Sequence, residues 1–61
     1  MIKITRINNS ELTINNDLIE FIEATPDTTI TMSTGKKIIA KESIEDIINK
    51  IVAFKGEINR I

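Results

Sequence analysis

From Ser43 onward the chain carries a single apolar stripe. Ile44, Ile47, Ile48, Ile51 and Val52 recur at i, i+3, i+4, i+7 and i+8, the spacing of one face of an α-helix. Phe54 widens the stripe, while Glu45, Asp46, Asn49, Lys50 and Ala53 take the other side. Ser43 stands where an N-cap hydroxyl can accept from an orphan amide of the first turn. Asp46, three residues on, gives a capping-box-like pair, and Glu45 and Asp46 complement the helix dipole. Lys55 suits the last turn, and Gly56 suits a left-handed residue just past the end. The spacing predicts a helix over 44–55. The tail from Glu57 to Ile61 can add one further turn, with Ile58 in phase with the stripe. A helix apolar on one side must lie on something flat and apolar, so the first 42 residues have to supply a sheet.

They read as strands. Ile2 and Ile4 alternate with Lys3 and Thr5, so residues 2–7 form a strand with one apolar face. Arg6 falls where that face would continue, at the rim, with its stem packed and its head in water. Asn8-Asn9 is a turn signal, because Asn tolerates positive φ better than other side chains. Residues 11–15 return antiparallel, with Leu12 and Ile14 inward. Asn15-Asn16-Asp17 makes a second polar break.

Residues 18–25 fit helix or strand by pattern. Their short length, with Asp17 before and Pro26 after, favours a strand with a bulge that shifts its facing partway. Thr25-Pro26-Asp27-Thr28 is a turn. Residues 28–34 are rich in β-branched side chains, with Ile30 and Met32 inward and Thr29, Thr31 and Ser33 outward. Gly35 frees the backbone for the next hairpin turn. Residues 37–41 put Ile38 and Ala40 on the core and Ile39 outside, where it marks a second apolar surface. The expected fold is α+β: one domain over residues 1–61, with a small antiparallel five-stranded meander sheet packed by one C-terminal amphipathic helix.

A chain of 61 residues buries only about 60% of its unfolded surface. Disulfides cannot reinforce it, for it has no Cys, and without His a structural zinc is improbable. Fifteen isoleucines therefore leave two means of reinforcement: self-association into a homo-oligomer, or dense packing. A net charge of −1 offers no general attraction to phosphate backbones or acidic lipids. No run approaches the roughly 20 apolar residues of a membrane-crossing helix, so no membrane insertion is expected. The alternating N-terminus is unlike a signal peptide, and the lack of Cys fits the cytoplasm.

The same inventory removes most chemistry. With no His, Cys, Tyr or Trp, the usual neutral-pH base and thiol nucleophile are missing. Glu20 and Glu23 would point to opposite faces of a strand. Asp17, Glu20 and Glu23 are too loosely spaced for a calcium loop. Gly35 stands alone, so there is no phosphate-cradling loop. We expect no catalytic residue, cofactor or metal. Lys36, Lys37 and Lys41 could touch phosphates, but no aromatic platform accompanies them. Paired lysines beside a turn more often guard a sheet edge against aggregation.

Two stretches carry a likeness to known proteins. "MIKITRINN", followed by "INNDLIEFIEATPDTTITMSTGKKIIAKES", resembles the short FlbD family, the SwrD-type swarming motility proteins. The resemblance extends from Met1 to about Phe54. Its specific part is the order and spacing of "DLIE", "IEATPDT" and "TGKK". The family pattern falls on Thr5, Arg6, Asn8, Asp17 to Glu20, Ile22, Glu23, Thr25 to Thr28, Gly35 and Lys36. Asn9 stands where the family commonly has glycine and Asn16 where it often has proline, and both keep turn chemistry.

The resemblance implies a non-enzymatic cytoplasmic factor, peripheral to the flagellar basal body, that supports motor power and swarming. Its partners would be flagellar motor or basal-body proteins. Among the matched positions, Arg6, Asn8, Glu20, Glu23, Asp27 and Lys36 are polar and not needed for a core, which makes them the expected partner-binding surface. Asn8 and Asp27 also have a simpler role as turn builders. The order of hairpins, serine cap and helix also resembles the closing part of LytTR-type DNA-binding domains. That likeness implies a small nucleic-acid-binding regulator instead, although the basic face it requires is weak.

Overall fold

The structure, a computed structural model, describes residues 1–58. Five strands precede one helix: β1 (Ile2–Thr5), β2 (Glu11–Ile14), β3 (Ile19–Glu23), β4 (Thr28–Met32), β5 (Lys37–Ala40) and α1 (Ile44–Ile58). The α+β class and the order of elements match the reading from sequence. The single five-stranded meander does not. β1 and β2 form a two-stranded antiparallel sheet, and β3, β4 and β5 form a separate three-stranded one.

The break lies between β2 and β3. There the chain makes a 3₁₀ turn over Asn16–Leu18 instead of a hairpin. Asn15 caps it, its side-chain oxygen accepting from the Asp17 amide at 3.0 Å. Asn16 is buried, and its carboxamide oxygen accepts from the Met1 ammonium. The turn carries the chain away from β2, so β3 pairs with β4 alone. Leu18, expected in the strand, belongs to this turn.

The sheets meet at a corner. Arg6 forms a lone antiparallel bridge with Ala40, just past the end of β1. On either side, the Lys41 amide donates to Thr5 O at 2.8 Å, and the Ile7 amide donates to Ile39 O at 3.2 Å. The Thr5 amide donates in turn to both carboxylate oxygens of Glu42, at 3.0 and 2.9 Å. Charge-assisted bonds of this kind are the stronger ones. The strands therefore follow one another in space as β2, β1, then across the corner β5, β4 and β3.

Facing follows the two-residue period except where a bulge intervenes. Ile22 opposes Ile30 and Ile38 opposes Ile30 from the other side, all on the inner face. A register shift between Ile19 and Phe21 is the bulge expected in β3. It lets Ile19 oppose Met32 and pack on the core while Phe21 opposes Thr31 on the other face, where Thr31, expected to be exposed, is buried. Among the described residues, φ is positive at Asn9 (72°) in the first hairpin and Gly35 (92°) in the last, both at turns read from sequence. The bend between β3 and β4 contains a cis Thr25–Pro26 peptide.

The core is Ile2, Ile4, Ile14, Ile30, Met32, Ile38, Ala40 and Ile47, with Leu12, Ile19, Ile22, Ile51 and Phe54 packed around it. Ile4, Ile30 and Ile47 are fully enclosed, one each from β1, β4 and α1. α1 packs chiefly on β1. Its cap is as expected: the Ser43 hydroxyl accepts from the Asp46 amide at 3.1 Å.

Two expectations for the helix need correction. Ile48 is 49% exposed and Val52 63%, so the five-residue stripe is not buried as a unit. One edge, Ile47, Ile51 and Phe54, packs on the core, and the other edge looks out. The sheets beneath it are too narrow to cover the whole stripe. Gly56 does not end the helix either; it is a helical residue, and α1 runs on to Ile58. The rest of the expected tail, residues 59–61, and the side chain of Ile58 lie outside the described residues.

Two pairs of substitutions test this arrangement by urea unfolding. Ile47→Ala should cost about 2–5 kcal/mol, whereas Val52→Ala should stay within about 0.5 kcal/mol. Both glycines have open space around an added Cβ, so backbone preference alone decides the sign. Gly35→Ala, at positive φ, should destabilise by about 1–2 kcal/mol. Gly56→Ala, inside a helix, should stabilise by about 0.5–1 kcal/mol.

Candidate functional site

The corner between the two sheets opens on the surface as a groove of about 290 Å³. One wall is the end of β1 and its turn, with Arg6, Ile7 and Asn8. The other is the β4–β5 turn and β5, with Lys36, Lys37, Ile38 and Ile39, and Leu12 of β2 completes the lining. The bond from the Ile7 amide to Ile39 O ties the walls together.

The local sequence explains the composition. Ile7 shares parity with Lys3 and Thr5, so it leaves the apolar face of β1 and stands 54% exposed. Ile39 shares parity with Lys37 and Lys41 and stands 44% exposed. The backbone pairing sets these two outward isoleucines side by side. Around them the groove has three cations, Arg6, Lys36 and Lys37, and no carboxylate. The site is an apolar cleft with a basic rim.

Asn8 contributes shape more than contact. Its side-chain oxygen accepts from the Ser10 amide at 3.0 Å and from the Ser10 hydroxyl at 2.6 Å, closing the turn on itself. The Lys41 ammonium, which also lies near this hairpin, donates to the Asn9 side-chain oxygen.

The six residues singled out from sequence divide into two groups. Arg6, Asn8 and Lys36 come together in the groove. Glu20, Glu23 and Asp27 do not line it. Glu20 sits at the β3 bulge, Asp27 in the bend preceding β4, and both are exposed. Glu23 is on the outer sheet face, in the cross-strand row Glu23, Thr29, Ile39. Two strand spacings, about 10 Å, separate it from the groove floor.

The sequence singles out neither Ile7 nor Lys37 for this surface; Lys37, paired with Lys36, reads there as guarding a sheet edge. The signal for Ile7 was available: an isoleucine out of phase with Ile2 and Ile4. The pairing that puts it beside Ile39 was not, because it depends on the corner.

A family model matches residues 1–59, and its description is flagellar and swarming motility proteins. The chain belongs to the FlbD family. The match spans both sheets and all of α1, so the FlbD resemblance read from the hairpin and turn segments extends over the whole described fold. No curated protein and no solved structure matches the chain.

Among the described residues, no group of three or more His, Cys, Asp or Glu side chains is placed to hold a metal ion. No helix among the described residues is long and apolar enough to cross a membrane. What this FlbD-family site offers chemically is contact: a hydrophobic floor, three cationic donors and a rigid turn.

Because Asn8 holds the turn, Asn8→Ala should lower stability by about 0.5–1.5 kcal/mol. Arg6→Ala, which removes a rim cation, should leave the hairpin folded. Thermal unfolding of the two variants, followed by far-UV circular dichroism, distinguishes a turn builder from a contact residue.

Proposed function

We propose that this FlbD-family protein is a non-enzymatic accessory factor that docks on a flagellar motor or basal-body protein and supports motor power and swarming. It works from the cytoplasmic side, peripheral to the basal body. The observation that carries the reading is the groove itself. Three of the family-matched polar positions, Arg6, Asn8 and Lys36, converge on an apolar cleft although nothing in the core requires them there.

Charge decides the kind of partner. A cleft with Arg6, Lys36 and Lys37 at its rim and isoleucines on its floor fits a segment that alternates acidic and apolar side chains. Rim charges of this sort set association rate and specificity more than raw affinity. The buried anchors supply the affinity, and here they would be partner side chains resting on Ile7 and Ile39. Glu23, on the adjoining row, would extend the contact across the outer face. Glu20 and Asp27 belong to separate edges of the same proposed surface.

The rival reading, a nucleic-acid regulator, uses the same three cations. Against it stand the overall charge of −1 and a groove lining that holds no aromatic side chain for base stacking. A gel-shift titration separates the two, since a nucleic-acid binder loses affinity steeply as salt rises.

Charge reversal is the direct test. Arg6→Glu and Lys36→Glu should keep the wild-type circular dichroism spectrum and abolish or sharply reduce swarming. Folded variants that swarm normally would discard the groove as the docking site. Reversing Glu23 in parallel shows whether the contact reaches across the sheet.

A further inference from the structure

Away from the groove, α1 exposes a second apolar strip. Ile48 and Val52 are one turn apart and largely uncovered, on a helix whose other apolar edge is already committed to the core. Two exposed charged residues border the strip: Glu45 on one side toward the N-terminus, and Lys55 on the other toward the C-terminus. At 100° per residue each lies about 40° from the strip's midline.

These four positions are symmetric about Lys50. Ile48 and Val52 lie two residues to either side of it, about 3 Å along the axis, and Glu45 and Lys55 five residues to either side, about 7.5 Å. A helix laid antiparallel on an identical helix, about a twofold axis at Lys50, brings Ile48 of each level with Val52 of the other. The same operation sets the acidic end of each strip beside the basic end of its twin. Parallel pairing would set Glu45 against Glu45 and Lys55 against Lys55. The opposed macrodipoles favour the antiparallel sense as well.

From this self-complementarity we infer that the exposed strip of α1 is an isologous contact, and that its occupant is a second copy of this chain, paired antiparallel through Ile48 and Val52. A patch that is the same on both partners and complementary to itself under a twofold is what a closed dimer requires. The contact is small compared with a standard interface of about 1,600 Å², so the dimer is weak and depends on concentration. The pairing leaves the groove at the sheet corner free, and stands or falls independently of the docking function proposed for it.

Sedimentation equilibrium of the full chain from about 10 µM to about 1 mM tests the inference. The wild-type mass should climb from 6.9 kDa toward twice that value. Val52→Asp should shift association to at least about tenfold higher concentration with an unchanged circular dichroism spectrum. Glu45→Lys alone and Lys55→Glu alone should each weaken self-association, because each sets like charges together. Mixed in equal amounts, these two variants should pair with one another, and the double exchange E45K/K55E should regain the wild-type behaviour. All the charge variants use exposed positions, so the mixing experiment remains decisive even if Val52→Asp unfolds. A wild-type mass that stays at one chain throughout, or a dimer indifferent to the single reversals, would overturn the inference, as would a mixture that does not associate.

Discussion

Everything in this small fold depends on three isoleucines that meet no solvent. Ile4, Ile30 and Ile47 come from the two-stranded sheet, the three-stranded sheet and the helix, and they join one apolar cluster. Among the described residues the sheets share a single bridge, at Arg6 and Ala40, so backbone pairing alone would leave them hinged. Fully burying an isoleucine contributes about 1.5–3 kcal/mol before entropy is counted. In a domain with a net stability of a few kcal/mol, three such residues can decide whether the halves stay together. The corner bonds then set their angle: Thr5 accepts from the Lys41 amide and donates to the Glu42 carboxylate, fixing β1 against the approach to α1.

Local chemistry was legible in the sequence wherever one residue type has one physical role. Asn9 and Gly35 mark the positive-φ turns, Ser43 marks the helix cap, and the mixed facing of residues 18–25 announces the bulge. What could not be read was which strands become neighbours. Alternation in Leu12 and Ile14 and in Ile19 and Ile22 says that each strand has an apolar side, but not that they belong to different sheets. The 3₁₀ turn at Asn16–Leu18 decides that, through a buried Asn16 whose polar neighbours suggest an ordinary loop. The helix misled in the opposite direction. Its stripe was read correctly as to period, yet period alone does not tell how wide a surface lies beneath.

The groove shows the same division between what is local and what is assembled. Arg6, Asn8 and Lys36 stood out because the FlbD family pattern falls on them while the core has no need of them. Their convergence with Ile7 and Ile39 is a property of the corner, where two short sheets meet at a bridge and cannot close over the outward side chains. The acidic residues Glu20 and Glu23 belong to the same group because the family pattern falls on them too. Topology distributes them instead to β3, on the far side of β4 from the groove.

The isoleucine content now has a physical account. Of the large apolar side chains left exposed, Ile7 and Ile39 line the groove, Phe21 lies on the outer sheet face, and Ile48 and Val52 form the helix strip. A 61-residue chain has too little interior to enclose them all. Scattered singly, such residues on a soluble surface need no explanation. Met1, Leu18 and Phe21 are such cases, but the other four gather in two pairs, each with its own charge pattern, one uniformly basic and one acidic at one end and basic at the other. Uniform charge selects a partner unlike the protein itself, because a second copy would bring the same cations. Split charge on a twofold-symmetric strip selects a copy. The two proposed surfaces lie apart, one at the sheet corner and one on the helix, so the proposed self-association leaves the proposed docking groove open.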